Sequence, residues 1–78
     1  DNATLADLFA WTEAEFLQRT EGSAIRRSGY ARWLRNIAIA LGNAPTTPQT
    51  IAALRSKREI DDAMVREHVE WALKQHHA

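Results

Sequence analysis

Residues 21–43 read EGSAIRRSGYARWLRNIAIALGN. From Tyr30 onward the apolar side chains recur as Tyr30, Leu34, Ile37, Ala38 and Leu41, the stripe of an amphipathic helix. At about 100° per residue, Arg32, Arg35, Asn36 and Ser28 fall on the opposite, solvated face. In a helix running unbroken from Ile25, Arg26 and Arg27 would turn toward the apolar half. Gly29 offers another solution. SAIRR then forms its own turn of helix, and a bend at Ser28–Gly29 aims those two guanidiniums independently. Gly42–Asn43 ends the stripe, and either residue suits a left-handed cap.

Helix signals continue on both sides of this stretch, and strand alternation is absent. Thr4, followed by Asp7, can cap a first short helix carrying Leu5, Leu8 and Phe9. Thr12 and Glu15 form a capping box for a second, with Phe16 and Leu17 facing inward and an end near Gly22. Ser23 can cap the basic helix. Thr47–Pro48 is a cap with proline at the first helical position, and Ile51, Ala52 and Leu54 give the next apolar face. Asp61 or Asp62 caps a last helix in which Val65, Val69, Ala72 and Leu73 point inward. The expectation is an all-α fold of about five short helices in a single domain, 1–78. Residues 1–22 form N-terminal helices, 23–43 the basic helix and 44–78 a helix pair. ALGN at Ala40–Asn43 echoes ALKQ at Ala72–Gln75, 32 residues later. That spacing suggests a fragment of a HEAT-like helical repeat, and two units stack poorly by themselves.

At 78 residues, such a chain buries only ~60% of its unfolded surface, for a core worth ~3–5 kcal/mol. It has no cysteine, so disulfides and thiolate metal sites are excluded. No apolar run approaches the ~20 residues of a membrane span. The start Asp1-Asn2-Ala3 is unlike a signal peptide and reads as a cut through a longer protein. Net charge is zero, but it is sorted along the chain. Residues 1–21 carry five acids against Arg19, a net −4. Residues 22–58 carry Arg26, Arg27, Arg32, Arg35, Arg55, Lys57 and Arg58 and no acid, a net +7. Residues 59–78 return to −3. A band of one sign is what a polyanion meets.

Catalysis finds little support in the residues. Ser23, Ser28 and Ser56 have no histidine near them in sequence, and the glycines make no phosphate loop. His68, His76 and His77 lack metal-ligand spacing, and the last two sit at a terminus expected to fray. No catalytic, cofactor-binding or metal residue is assigned. Binding fares better. Arg26, Arg27, Arg32 and Arg35, interleaved with Tyr30 and Trp33, offer guanidinium forks for phosphates and rings for stacking on an unpaired base. Arg55, Lys57 and Arg58 can extend the band. Core packing is the competing role for both rings, more so for Tyr30, and Trp11 and Trp71 read as packing residues. Arginine and tryptophan also anchor protein interfaces, so a protein-docking module stays open.

One further pattern narrows the choice. Leu8, Phe9, Trp11, Glu13, Glu15, Phe16, Gly22, Ser23, Ala24, Arg27, Arg35, Asn36, Ala40, Leu41, Gly42 and Asn43 resemble, in spacing and identity, a pattern in the C-terminal part of bacterial epoxyqueuosine reductases. VREHVEWAL, Val65–Leu73, is similar to the closing helical repeat of that family. The match is loose over Gln49–Ile60, and Ser28 departs from the bulkier apolar residue common there. The resemblance implies the C-terminal, HEAT-like region of a cytoplasmic oxidoreductase that reduces epoxyqueuosine to queuosine in tRNA. Such an enzyme uses cobalamin and two 4Fe–4S clusters held in earlier domains, and a cysteine-free piece can hold neither cluster. The partners implied are a tRNA anticodon stem-loop and the upstream domains of the same chain, with the piece itself monomeric. Arg27 and Arg35 match the motif and rank first among the arginines. Asn36 is expected to bridge within the chain.

Overall fold

Thr12, Thr47 and Asp62 each stand in extended backbone and accept a hydrogen bond from the N–H three residues on. The distances are 3.2 Å from Glu15, 3.1 Å from Thr50 and 3.0 Å from Val65. Each satisfies an otherwise orphaned donor of the first helical turn. Glu15 completes the capping box by accepting from the Thr12 N–H at 3.1 Å, and those bonds hold its carboxyl below the usual range. The computed structural model describes residues 2–78. Asp1, one of the acids of the N-terminal segment, lies outside the described residues.

The described residues form six helices and no strand: α1 Asn2–Phe9, α2 Glu13–Arg19, α3 Ile25–Ser28, α4 Tyr30–Asn43, α5 Pro48–Ser56 and α6 Ala63–Gln75. The fold is all-α as expected. One helix exceeds the expected five because Gly29 divides the basic stretch in two. Its φ of +90° and ψ of 161° lie where side chains are rarely tolerated. Ser23 does not cap α3 in the usual way; its hydroxyl accepts from the Ile25 N–H at 3.2 Å. Thr4 lies inside α1 instead of capping it, since that helix begins two residues earlier.

The core joins Phe9 of α1, Leu34, Ile37, Ala38 and Leu41 of α4, Leu54 of α5, and Val65, Val69, Ala72 and Leu73 of α6. Burying each large member is worth ~1.5–3 kcal/mol. Two inward expectations fail. Leu17 is 40% exposed, because Phe16 alone turns α2 toward the body. Ala52 is exposed, and the Thr50 side chain takes the buried position beside Leu54.

α4 and α6 make the most extensive contact. Arg35 reaches Met64 near their starts, while Leu41 and Thr46 meet His76 near their ends. The two helices therefore run parallel, with α5 returning between them, and the 32-residue echo corresponds to two helices lying side by side. Gly42 is what lets them close. It is not a left-handed cap, for the helix continues through it and Asn43 and stops at Ala44 in extended conformation. A Cβ on Gly42 would lie 2.5 Å from Trp71 Cζ3 and 3.0 Å from the Ala72 Cα and Cβ. The same seam is latched by His76, 6% exposed and not frayed. Its Nε2 donates to the Leu41 carbonyl at 2.7 Å and its Nδ1 pairs with the Thr46 hydroxyl at 2.6 Å. A carbonyl only accepts, so the proton on Nε2 is set by the geometry.

Both seam contacts are open to a stability measurement. Glycine to alanine in an exposed helix interior adds up to ~1 kcal/mol, but overpacking costs ~1–3 kcal/mol. Gly42→Ala is expected to lose about 1–2 kcal/mol in urea denaturation, and a gain would contradict the close approach. His76→Phe removes the bonds to the Leu41 carbonyl and the Thr46 hydroxyl, leaving that carbonyl only the 3.3 Å bond from the Ala44 N–H, and is expected to cost about 1–2 kcal/mol in the same assay.

Candidate nucleic-acid interface

The basic turn is framed by two glycines of positive φ, Gly22 at +77° and Gly29 at +90°. Between them Arg26 and Arg27 are exposed, lining an open hollow of about 540 Å³ with Gly22, Ser23 and Ala24. The hydrogen bond from the Gly29 N–H to the Arg26 carbonyl at 3.2 Å closes α3, and α4 restarts in a new direction. Arg32 is exposed on the outward face of α4. Arg35, half-buried on the same face, donates through Nε and Nη2 to the Asn36 side-chain oxygen at 3.1 and 3.0 Å, and its Nη1 lies 4.0 Å from Met64 Sδ. Asn36 thus bridges within the chain. Among the described residues none of these four guanidiniums forms an ion pair; Arg58 with Glu70, at 2.8 Å, is the pair present.

The second basic cluster is divided. Arg55 is exposed at the end of α5. Lys57 is half-buried, its Nζ 3.4 Å from the Tyr30 hydroxyl, and burial pushes its amine below the ordinary range, partly offset by Glu15. Arg58 is held by Glu70, which raises the guanidinium and lowers the carboxyl. An exposed pair of this kind adds little stability, but a phosphate would have to compete with it.

The rings divide as well. Trp33 stacks on Trp11 with centroids 5.3 Å apart and planes 17° from parallel, and tilts against Phe16 at 5.5 Å. Phe16 also packs on Tyr30, whose hydroxyl donates to the Trp11 carbonyl; burial, then Glu13 and Glu15, raise that phenol. The Arg19 guanidinium covers Trp11 at 5.2 Å. Trp33 is thereby committed to the cluster that fastens α2 to α4, and its indole Nε1 is buried without a partner. Trp71, read as a packing residue, is 38% exposed. Its position off the Val65–Val69–Leu73 stripe carried that signal in the sequence.

No family model matches the chain, and no solved structure matches it. Curated relatives do. A protein of Xanthomonas campestris pv. campestris named epoxyqueuosine reductase is 68% identical over 76 residues, 97% of this chain and 21% of the relative. The protein of that name from Pseudomonas aeruginosa is 60% identical over the same shares. That of Escherichia coli is 54% identical over 91% of this chain and 18% of the relative. The chain spans about a fifth of the length of the curated relatives it matches.

The geometry of the basic turn is testable without any ligand. At Gly29 a Cβ would meet nothing within 4 Å, so the cost of Gly29→Ala is backbone strain alone, about 1–3 kcal/mol by denaturation. D-Alanine at the same position, introduced by chemical synthesis, is expected to restore most of it. Equal losses for both enantiomers would contradict the strained turn.

Proposed function

Since the chain belongs to the epoxyqueuosine reductase family as a segment about a fifth of its relatives' length, we propose that it is the C-terminal, HEAT-like region of such an enzyme. In this reading it grips the anticodon stem-loop of tRNA while the rest of the polypeptide reduces epoxyqueuosine to queuosine. The name the relatives share supports the reaction. The observation that carries the gripping role is the set of four guanidiniums, Arg26, Arg27, Arg32 and Arg35, in no ion pair among the described residues and carried by α3 and the outer face of α4. An enzyme that works on a loop base must hold the backbone beside it and splay the base out. Phosphate contacts supply much of such affinity and make it salt dependent. Arg55 can lengthen the band, and Lys57 and Arg58 contribute once released from their present neighbours.

This chain offers no cysteine, and among the described residues no three His, Cys, Asp or Glu side chains are grouped to hold a metal. Its residues do not fit a 4Fe–4S cluster. In this reading the clusters of the proposed enzyme, and with them its cobalamin, belong to the other four-fifths of the polypeptide. The competing role, an internal docking module, draws on the bonds of Arg35 to Asn36 and Met64.

The two roles separate in the full-length enzyme. Arg27→Ala and Arg35→Ala are each expected to weaken capture of a tRNA anticodon stem-loop and to lower the slope of log affinity against log salt by about 1, with the cobalamin and cluster spectra unchanged. Unchanged affinity would overturn the gripping role, and loss of the spectra would indicate docking.

A further inference from the structure

Along the outer face of α4, Arg32 and Arg35 are followed one turn later by Ile39, 37% exposed. Across the seam, Glu67, His68 and Trp71 of α6 complete an open hollow of about 330 Å³ beside Ile39. Trp71 is the sole aromatic ring among the large apolar side chains left exposed in the described residues. Its Cζ3 edge is held against Gly42, which fixes the indole while leaving the ring partly open. His68 is oriented too, because its Nδ1 donates to the Met64 carbonyl at 2.7 Å. In the neutral ring that leaves Nε2 as an acceptor.

We infer that this hollow is a stacking site for one unpaired base of single-stranded RNA, with Trp71 and Ile39 as the platform. The inference rests on the proposed RNA-gripping role and extends it to a particular nucleotide. The floor is apolar and planar, as base–aromatic stacking requires. The rim carries acceptors, the Glu67 carboxylate and His68 Nε2, suited to the N–H edge of a base. Glu67 repels a phosphate, whereas Arg35 and Arg32 attract one. Arg35 Nη1 lies against Met64, seven residues before Trp71 or ~10 Å along α6, so the arginines are placed for the phosphate of an adjoining nucleotide. The site thus imposes a polarity: base toward Trp71, phosphate toward Arg35. It also supplies the stacking ring that Trp33, closed into its cluster with Trp11, does not offer.

The test uses the full-length protein carrying this segment and a tRNA anticodon stem-loop. Trp71→Leu keeps apolar bulk against Gly42 and removes the aromatic face. It is expected to lower affinity about tenfold at every salt concentration, leaving the salt slope unchanged; Trp71→Phe stays within about threefold. Wild-type affinity in Trp71→Leu overturns the inference. If Arg27→Ala and Arg35→Ala still weaken binding, the arginine grip stands without it, and if no variant matters, both fall. A Trp71→Leu protein that aggregates or melts earlier but binds RNA normally marks the face as a protein contact and equally overturns the proposal. Photocrosslinking of wild-type protein to a stem-loop bearing 4-thiouridine covers the case of a variant that fails to fold. An adduct at Trp71 supports the site, and adducts confined to residues 26–35 overturn it.

Discussion

Everything in this fold hangs on how closely α4 and α6 approach. They are parallel, and parallel neighbours cannot be joined by a tight turn, so the chain must return through α5 before the second can pack on the first. What rewards that detour is a buried apolar seam of Leu34, Ala38 and Leu41 against Val65, Val69, Ala72 and Leu73. It closes because Gly42 has no side chain to hold the helices apart and because His76 bonds the Leu41 carbonyl across it. Packing at that density tolerates little change in volume.

The same seam decides what α4 shows to the outside. Once Leu34, Ile37, Ala38 and Leu41 are turned inward, the 3.6-residue period leaves Arg32, Arg35 and Ile39 no other face. Gly29 then uncouples the preceding turn, so that Arg26 and Arg27 avoid the apolar half to which a continuous helix would have sent them. Among the described residues the acidic side chains form no ion pair with these groups. Glu15 is used in capping, and Glu70 takes Arg58. A chain of zero net charge thereby keeps four arginines out of that ion pair, which is the electrostatic basis of the proposed tRNA grip.

Much of this is legible in the residues, and the parts that are not share a cause. Thr12 with Glu15, Thr47 with Pro48, and Asp62 announce helix starts because each acts on backbone three residues away. The Tyr30–Leu41 stripe and the Gly29 break are equally local. Misreadings arise where a partner distant in sequence decides the outcome. Gly42 resembles a cap because its reason for being small, Ala72 with Trp71, lies about 30 residues on. His76 resembles a fraying end because the carbonyl it bonds belongs to another helix. Leu17 is expected inside because it adjoins Phe16, yet α2 is held by a single aromatic cluster that has room for one of them. For the candidate site, the outward course of Arg32 and Arg35 can be read from the wheel, and that of Arg26 and Arg27 from the break at Gly29. The stacking of Trp33 on Trp11 and the pairing of Arg58 cannot, since both need tertiary neighbours.

The central claim is that Arg26, Arg27 and Arg32 face solvent, that Arg35 stands at the edge of the same surface, and that together they meet a polyanion. An NMR titration of the chain with a tRNA anticodon stem-loop, following backbone amides and arginine Nε–H signals at low and moderate salt, tests it most directly. The account predicts shifts concentrated on Arg26, Arg27, Arg32 and Arg35 that shrink as salt rises. Spectra unchanged at low salt, with those arginine signals indifferent to the RNA, would contradict it.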